Sequence, residues 1–196
     1  MALALLHDAP RVAQPTEPVR AMWVKWVAAA RRGDHEAFTA LHRHFGRMVH
    51  AIVITRVGAS EASDLVQDVF LQVFQKLSSL EEDHAFPAWL AQLARHRAAR
   101  HVRDDRHDQP LDDEPQLVAP DRSAAPDAKK IIRALQALPE AYAETLAMRL
   151  IEGMTGPEIA ERTGLTPGSV RVNLHRGMAQ LRAKLGLQPA EVSDEE

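Results

Sequence analysis

EIAERTGLTPGSVRVNLHRG, residues 158–177, places Ala160, Gly164 and Val170 at offsets of four and ten. A helix-turn-helix needs a small residue where two helices approach and a turn residue that tolerates a left-handed backbone. It also needs an apolar inner face on the second helix. Ile159 and Leu165 are expected to fill the angle between the helices. Thr155 and Glu158 form a capping-box pair ahead of the first helix, and Thr166 with Pro167 opens the second. Helical spacing turns Val170, Leu174, Met178, Leu181 and Leu185 inward. Ser169, Arg171, Val172, Asn173, His175 and Arg176 are then left on the outer and flanking faces, beside the capping Thr166. A recognition helix inserts its N-terminal half into the major groove, so these are the candidate DNA contacts. Arg171, Arg176 and Arg182 suit phosphates, and Arg171 can also reach a guanine edge. Asn173 can pair with adenine, and Val172 can touch a thymine methyl.

The net charge of −3 over 196 residues argues weakly against nucleic acid until it is divided along the chain. Residues 128–187 hold nine basic and five acidic side chains, whereas 110–127 hold one against five and 188–196 hold none against four. Acidity is thus concentrated in two short segments, and the block containing the turn is basic.

Outward from that block, the rest of the chain also reads as helical. Trp23, Trp26 and Val27 share a face that ends at Gly33. Asp34 caps a stripe of Phe38, Leu41, Phe45, Met48, Val49 and Ile52, closed by Gly58. Ser60 opens a third helix with Leu65, Val66, Val69, Phe70, Val73, Phe74 and Leu77 as its apolar face. A loop at 78–86 leads to a fourth helix from Pro87. The expected organisation is all-α, with two small helical domains. A mobile leader (1–19) precedes the first domain (20–107), and an acidic, four-proline linker (108–127) follows it. The second domain (128–187) ends in an acidic tail (188–196).

Several functions are disfavoured. Without cysteine there is no disulfide or thiolate metal site. The ten histidines include His42 and His44, which lie on different helix faces, and His96 and His101, poorly spaced for joint ligation. No phosphate loop or nucleophile elbow appears, so no catalytic residue, metal or cofactor is expected. No apolar run reaches the roughly 20 residues of a membrane span. A cytoplasmic location is expected.

Three further stretches, "GDHEAFTALHRHFGRMVHAIVITRVG" (33–58), "ASDLVQDVFLQVFQKL" (62–77) and "AFPAWLAQLARHRAARHVRDDR" (85–106), resemble in order the second conserved region of bacterial RNA polymerase sigma factors. The pattern is that of the compact extracytoplasmic-function group, and "LPEAYAETLAMRLIEGMTGPEIAERTGLTPGSVRVNLHRGMAQLR" (138–182) resembles that group's fourth region. The resemblance implies a factor, not an enzyme, that confers promoter specificity on core RNA polymerase. It implies that Asp64, Gln67 and Asp68 dock on the clamp helices of the largest subunit, while the second domain meets the flap of the second-largest. It also implies that the loop at 78–86 and the helix after it open the −10 element. Phe86 and Trp89 are the available aromatics there, and Arg95, His96, Arg97, Arg100 and Arg103 form its basic face. Trp89 also reads as a core anchor. His96 and Arg100 stand where the family often has Asn and Asp, and Asn173 stands for a common arginine. The second domain would read the −35 element, and an anti-sigma protein is a partner the family commonly has.

Two other readings fit parts of the pattern: a stand-alone helix-turn-helix regulator, and a sigma-like adaptor that binds polymerase or an anti-sigma protein. Initiation by core polymerase at a defined promoter separates them.

Overall fold

The structure, a computed structural model, describes residues 17–108 and 126–187. The leader up to residue 16, the linker from 109 to 125 and the tail from 188 lie outside the described residues. Eight α-helices account for most of what is described: α1 (Glu17–Arg31), α2 (His35–Val57), α3 (Ala59–Lys76), α4 (Phe86–Asp108), α5 (Pro126–Gln136), α6 (Glu140–Leu150), α7 (Gly156–Thr163) and α8 (Pro167–Leu185). Two 3-10 turns, Leu77–Ser79 and Asp83–Ala85, join α3 to α4.

Local chemistry places several helix ends. Asp34 accepts from the backbone N–H groups of Glu36 and Ala37 at 2.9 and 3.0 Å, which satisfies donors that the first turn of α2 leaves unpaired. Gly58 stands at φ 94°, a backbone that a side chain would strain, and so turns the chain from α2 into α3. Some boundaries differ from the sequence reading. α1 begins at Glu17, inside the expected leader, α3 begins at Ala59, and α4 begins at Phe86. Asp108, Pro126 and Asp127, expected in the linker, are helical.

The N-terminal core is built around α2. Trp23 of α1 meets Phe45 edge-on at 5.8 Å between ring centroids, and Phe45 meets Phe86 of α4 at 5.2 Å. All three rings are buried, and such edge-to-face contacts add about 1 kcal/mol each beyond area burial. Val69, Phe70 and Val73 of α3 close the bundle. Phe74, expected on that inner face, is instead 53% exposed. It lies at the edge of the stripe, against Phe38 and stacked on His35.

The two helical blocks pack on each other. From Met48 to Thr55 every residue of α2 except His50 is buried, which a one-sided amphipathic helix does not require. The second side faces the C-terminal block: α2 packs against α5, α6 and α7 as well as against α1, α3 and α4. Ala51, four residues past Arg47 and seven past His44, lies on this side by helical spacing and is fully buried. Within the C-terminal block, Leu135, Leu146, Met148, Met154 and Ile159 have no exposed surface to speak of.

Candidate nucleic-acid interface

The turn at 155–167 is built by local hydrogen bonds. Thr155 Oγ1 accepts from the Glu158 backbone N–H at 3.4 Å, and the Glu158 carboxylate accepts from the Thr155 N–H at 2.8 Å. Gly164 takes the left-handed conformation, φ 75° and ψ 6°, and its N–H reaches Ala160 O at 3.0 Å. Thr166 accepts from the Ser169 N–H at 3.0 Å and shares a 2.9 Å hydroxyl contact with Ser169, so both side chains serve the cap of α8. Leu165 does not fill the angle as expected; it is 39% exposed at the turn, and Ile159 with Val170 does the filling.

The Glu158 carboxyl is held below its ordinary pKa, chiefly by the backbone hydrogen bond from Thr155, with Arg162 assisting and burial opposing. A carboxylate depressed in the folded state stabilises above its unfolded pKa, and that contribution is lost as pH falls through the folded value. Glu158→Gln is therefore expected to flatten the fall in melting temperature between about pH 5 and pH 3. An unchanged slope in thermal melts across that window would remove the cap from any role in acid stability. Thr155→Ala should cost about 1 kcal/mol at neutral pH.

On α8, Arg171, Val172, His175 and Arg176 are exposed on one side, with Thr166 and Ser169 at the helix start. Asn173 departs from the outer-face reading. It is half-buried, and its Nδ2 donates to Thr145 Oγ1 of α6 at 3.4 Å. The reason is angular: Asn173 lies three residues past buried Val170 and four before buried Gly177, so it shares the edge of the inner face. Gly177 itself is where α6 and α8 approach, because a Cβ built there would lie 3.0 Å from Leu146 Cδ1 and 3.1 Å from Tyr142 Cβ.

The basic helix α4 is largely engaged within the chain. Arg95 donates from Nε and Nη2 to the two oxygens of Glu144 at 2.9 and 2.7 Å, and its Nε lies 2.9 Å from Glu140. The Glu144 carboxylate holds the Arg95 guanidinium above its ordinary pKa, with burial opposing and Glu140 adding to the effect. Arg97 is hydrogen-bonded to Asp68 of α3, Arg100 lies 3.6 Å from Asp104, and His101 meets Glu61 at 2.8 Å. His96 and Arg103 are exposed. Phe86 is fully buried against Phe45 and Trp89, so neither face of its ring is open to a base. Trp89 is half-buried and packs against the core. A groove between α4 and α6 is lined by Arg56, Gln92, Arg95, His96 and Glu140.

On α3, Asp64 and Gln67 are exposed, and the Asp68 side chain keeps 46% exposure beside Arg97. Leu71 and Phe74, 57% and 53% exposed, continue the same face at helical spacing. Leu71 escaped the sequence reading, which followed buried stripes; its position seven residues past Asp64 was the available signal. The C-terminal block carries a second exposed apolar feature, a groove of about 410 Å³ lined mainly by Ile131, Ile132, Leu150, Ile151, Met178 and Leu185. Among the described residues no helix is long and apolar enough to cross a membrane, and no cluster of three His, Asp or Glu side chains could hold a metal ion.

Comparison with known proteins follows this division. Residues 41–107 match the model of sigma-70 region 2, and residues 128–181 match that of sigma-70 region 4. The chain is similar to the RNA polymerase sigma factor CarQ of Myxococcus xanthus, with 30% identity over 170 residues, 83% of this chain and 97% of that protein. It is also 29% identical over 171 residues to the extracytoplasmic-function sigma factor RpoE of Cereibacter sphaeroides, covering 83% and 94% of the two chains. Among solved structures it resembles CnrH in complex with the cytosolic domain of CnrY, at a TM-score of 0.53 and 24% identity over 85% of this chain and 98% of that one. Both conserved regions therefore occur in order over both helical blocks, and the chain belongs to the sigma-70 family of RNA polymerase sigma factors, in the extracytoplasmic-function group, as a promoter-specificity factor of transcription initiation.

Proposed function

We propose that the two blocks divide the work of promoter recognition, with no catalytic activity of their own. The α3 face of Asp64, Gln67, Asp68, Leu71 and Phe74 docks on the clamp helices of the polymerase's largest subunit. Acidic and amide groups at its start complement a basic coiled coil, and the two exposed apolar side chains supply the area that anchors an interface. The apolar groove between α5, α6 and α8 receives the flap of the second-largest subunit. The basic face of α4, from Arg95 to Arg103 with Trp89 beside it, meets the −10 strand. Phe86 supports that helix from below as a core residue. Arg171, Val172, His175 and Arg176 face duplex −35 DNA, with Thr166 and Ser169 holding the helix start; Asn173 braces α8 against α6. The protein acts in the cytoplasm, where polymerase is, and an anti-sigma protein is the expected inhibitor.

The observation that supports this reading most is the side-by-side exposure of Arg171, Val172, His175 and Arg176 on a helix whose opposite face is buried. In vitro transcription tests it. Core polymerase plus this chain should initiate at a cognate promoter, where core alone does not. Arg171→Ala should lower initiation about tenfold through a lost base and phosphate contact, worth about 1–3 kcal/mol. Full initiation by the Arg171 variant would remove α8 from −35 reading. Initiation that fails with every promoter tried would leave the stand-alone regulator and the adaptor roles.

A further inference from the structure

The outermost line of α8 carries no polar side chain. At about 100° per residue, Gly168, Val172, Ala179 and Ala183 fall opposite the buried Val170, Gly177 and Leu181, and all four are exposed. Arg171, His175 and Arg182 lie along one flank of that line, and Ser169 and Arg176 along the other. Three polar side chains near the helix start are engaged within the chain. Asn173 donates to Thr145 of α6, and Thr166 and Ser169 share the hydroxyl contact that caps the helix. What faces straight out over the first two turns is the bare backbone of Gly168 and the isopropyl group of Val172, which is 45% exposed.

The fold does not account for Gly168. Its φ lies outside the left-handed region, and a Cβ there would meet only Thr166 Oγ1 at 3.8 Å, an ordinary contact. Glycine is the poorest ordinary helix former, so alanine would serve the helix better. Gly177 shows the contrast, because a Cβ there would press on Leu146 from 3.0 Å. A glycine that neither packing nor backbone demands fits a place where something outside the chain comes close.

In the major groove, thymine differs from the other bases by its 5-methyl group, which an apolar side chain can read without a hydrogen bond. A valine one turn beyond a glycine suits that methyl. The glycine lets the helix backbone come near, and the valine methyls form an apolar wall. Cations on both flanks hold such a helix down by the phosphates on either side.

We propose that α8 recognises its −35 element chiefly through the 5-methyl group of a thymine seated between Gly168 and Val172, with Arg171 and Arg176 anchoring the flanks. The inference rests on the reading of α8 as the −35 helix, and it adds which base is chosen and by which group. A methyl reader is indifferent to the hydrogen-bonding edge of the pyrimidine, so 5-methylcytosine is accepted better than cytosine at the same position. Occupancy of the −35 element thereby becomes sensitive to cytosine methylation.

The test uses core polymerase with the full chain. The holoenzyme is bound to a promoter pool randomised around −35, and the bound fraction is sequenced; a thymine should be selected in the element. The selected promoter is rebuilt with deoxyuridine for that thymine, which removes the methyl and leaves every hydrogen-bonding group in place. Wild-type holoenzyme should bind the deoxyuridine promoter about fourfold more weakly, the ratio expected from burying one methyl group. Val172→Ala should bind the two promoters alike. With cytosine at that position, adding the 5-methyl group should raise wild-type affinity by a similar factor. Gly168→Leu should keep the melting temperature and lower binding to the thymine promoter about tenfold, the size of one lost base contact. Selection without thymine, or equal wild-type affinity for thymine and deoxyuridine, overturns methyl reading. Discrimination that survives in Val172→Ala overturns its assignment to Val172, and unchanged binding by Gly168→Leu overturns the close approach. Arg171→Ala keeps these failures apart from failure of the −35 assignment. If it weakens binding while deoxyuridine does not, α8 reads DNA by other groups; if neither it nor Val172→Ala has any effect, α8 is not the reading helix.

Discussion

Gly177→Val is expected to destabilise the C-terminal block by about 3 kcal/mol and to abolish −35 recognition. In an open helix the same change would be mildly favourable, because glycine is the poorest ordinary helix former, by about 1 kcal/mol. Here the packing term decides. An added Cβ already lies 3.0 Å from Leu146 Cδ1 and 3.1 Å from Tyr142 Cβ, and the second of these is anchored directly to the α6 backbone. Valine's two methyls extend further still, so α6 and α8 must separate. That separation would also break the Asn173–Thr145 contact that braces the outer face of α8. Chemical denaturation of the full chain measures the stability loss, and footprinting of the −35 region with holoenzyme measures the recognition loss. Gly177→Ala separates the two terms: a stability near wild type would show that Leu146 can yield a few tenths of an ångström. A wild-type melting profile for Gly177→Val would mean that the close crossing is absent in solution.

Leu71→Ala/Phe74→Ala should weaken binding to core polymerase about hundredfold, with little change in overall fold. Exposed aromatic and aliphatic anchors surrounded by polar groups carry most of the energy of such interfaces, at 2 kcal/mol or more apiece for the strongest. Their contribution to the monomer is small, because both side chains are about half exposed. Phe74 does touch Phe38 at 5.4 Å between ring centroids and stacks on His35, so a modest drop in melting temperature accompanies the change. Charge reversal at Asp64 and Asp68 should add to the loss, and more steeply at low salt, because it acts through field and not area. Competition against a labelled sigma factor for core polymerase gives the affinities. Equal competition by the double-alanine variant would shift docking away from the exposed face of α3.

The parts of this fold legible in the sequence are those fixed within a few residues. Asp34, the Thr155–Glu158 pair, Gly164 and Thr166 each act on backbone groups two to four positions away, so their spacing carries the whole signal. Periodicity likewise gives the direction of each helix's buried side. It is weak at the edges of a stripe, where a rotation of some tens of degrees turns Phe74 outward and Asn173 inward. The least legible feature is the contact between blocks. Arg56 and Glu144 are 88 positions apart, and Arg95 and Glu144 are 49 apart. No local pattern marks either pair. The one available hint was the excess of apolar residues in α2, where Ala51, Val53 and Ile54 fall outside the single stripe that one core would need. The same blindness affects the arginines of α4. Their density signalled a charged face, but which of them were already partnered was set by α3 and α6.

The Asp68–Arg97 pair joins the face of α3 proposed to dock on polymerase to the side of α4 proposed to meet DNA. One carboxylate thereby serves two potential customers, a cation on the clamp and a guanidinium that nucleic acid would also attract. Whatever draws Asp68 outward loosens its hold on Arg97, and by reciprocity a strand bound at Arg97 leaves Asp68 freer for the clamp. On that proposal, affinity for enzyme and affinity for promoter share one coupling free energy through Asp68.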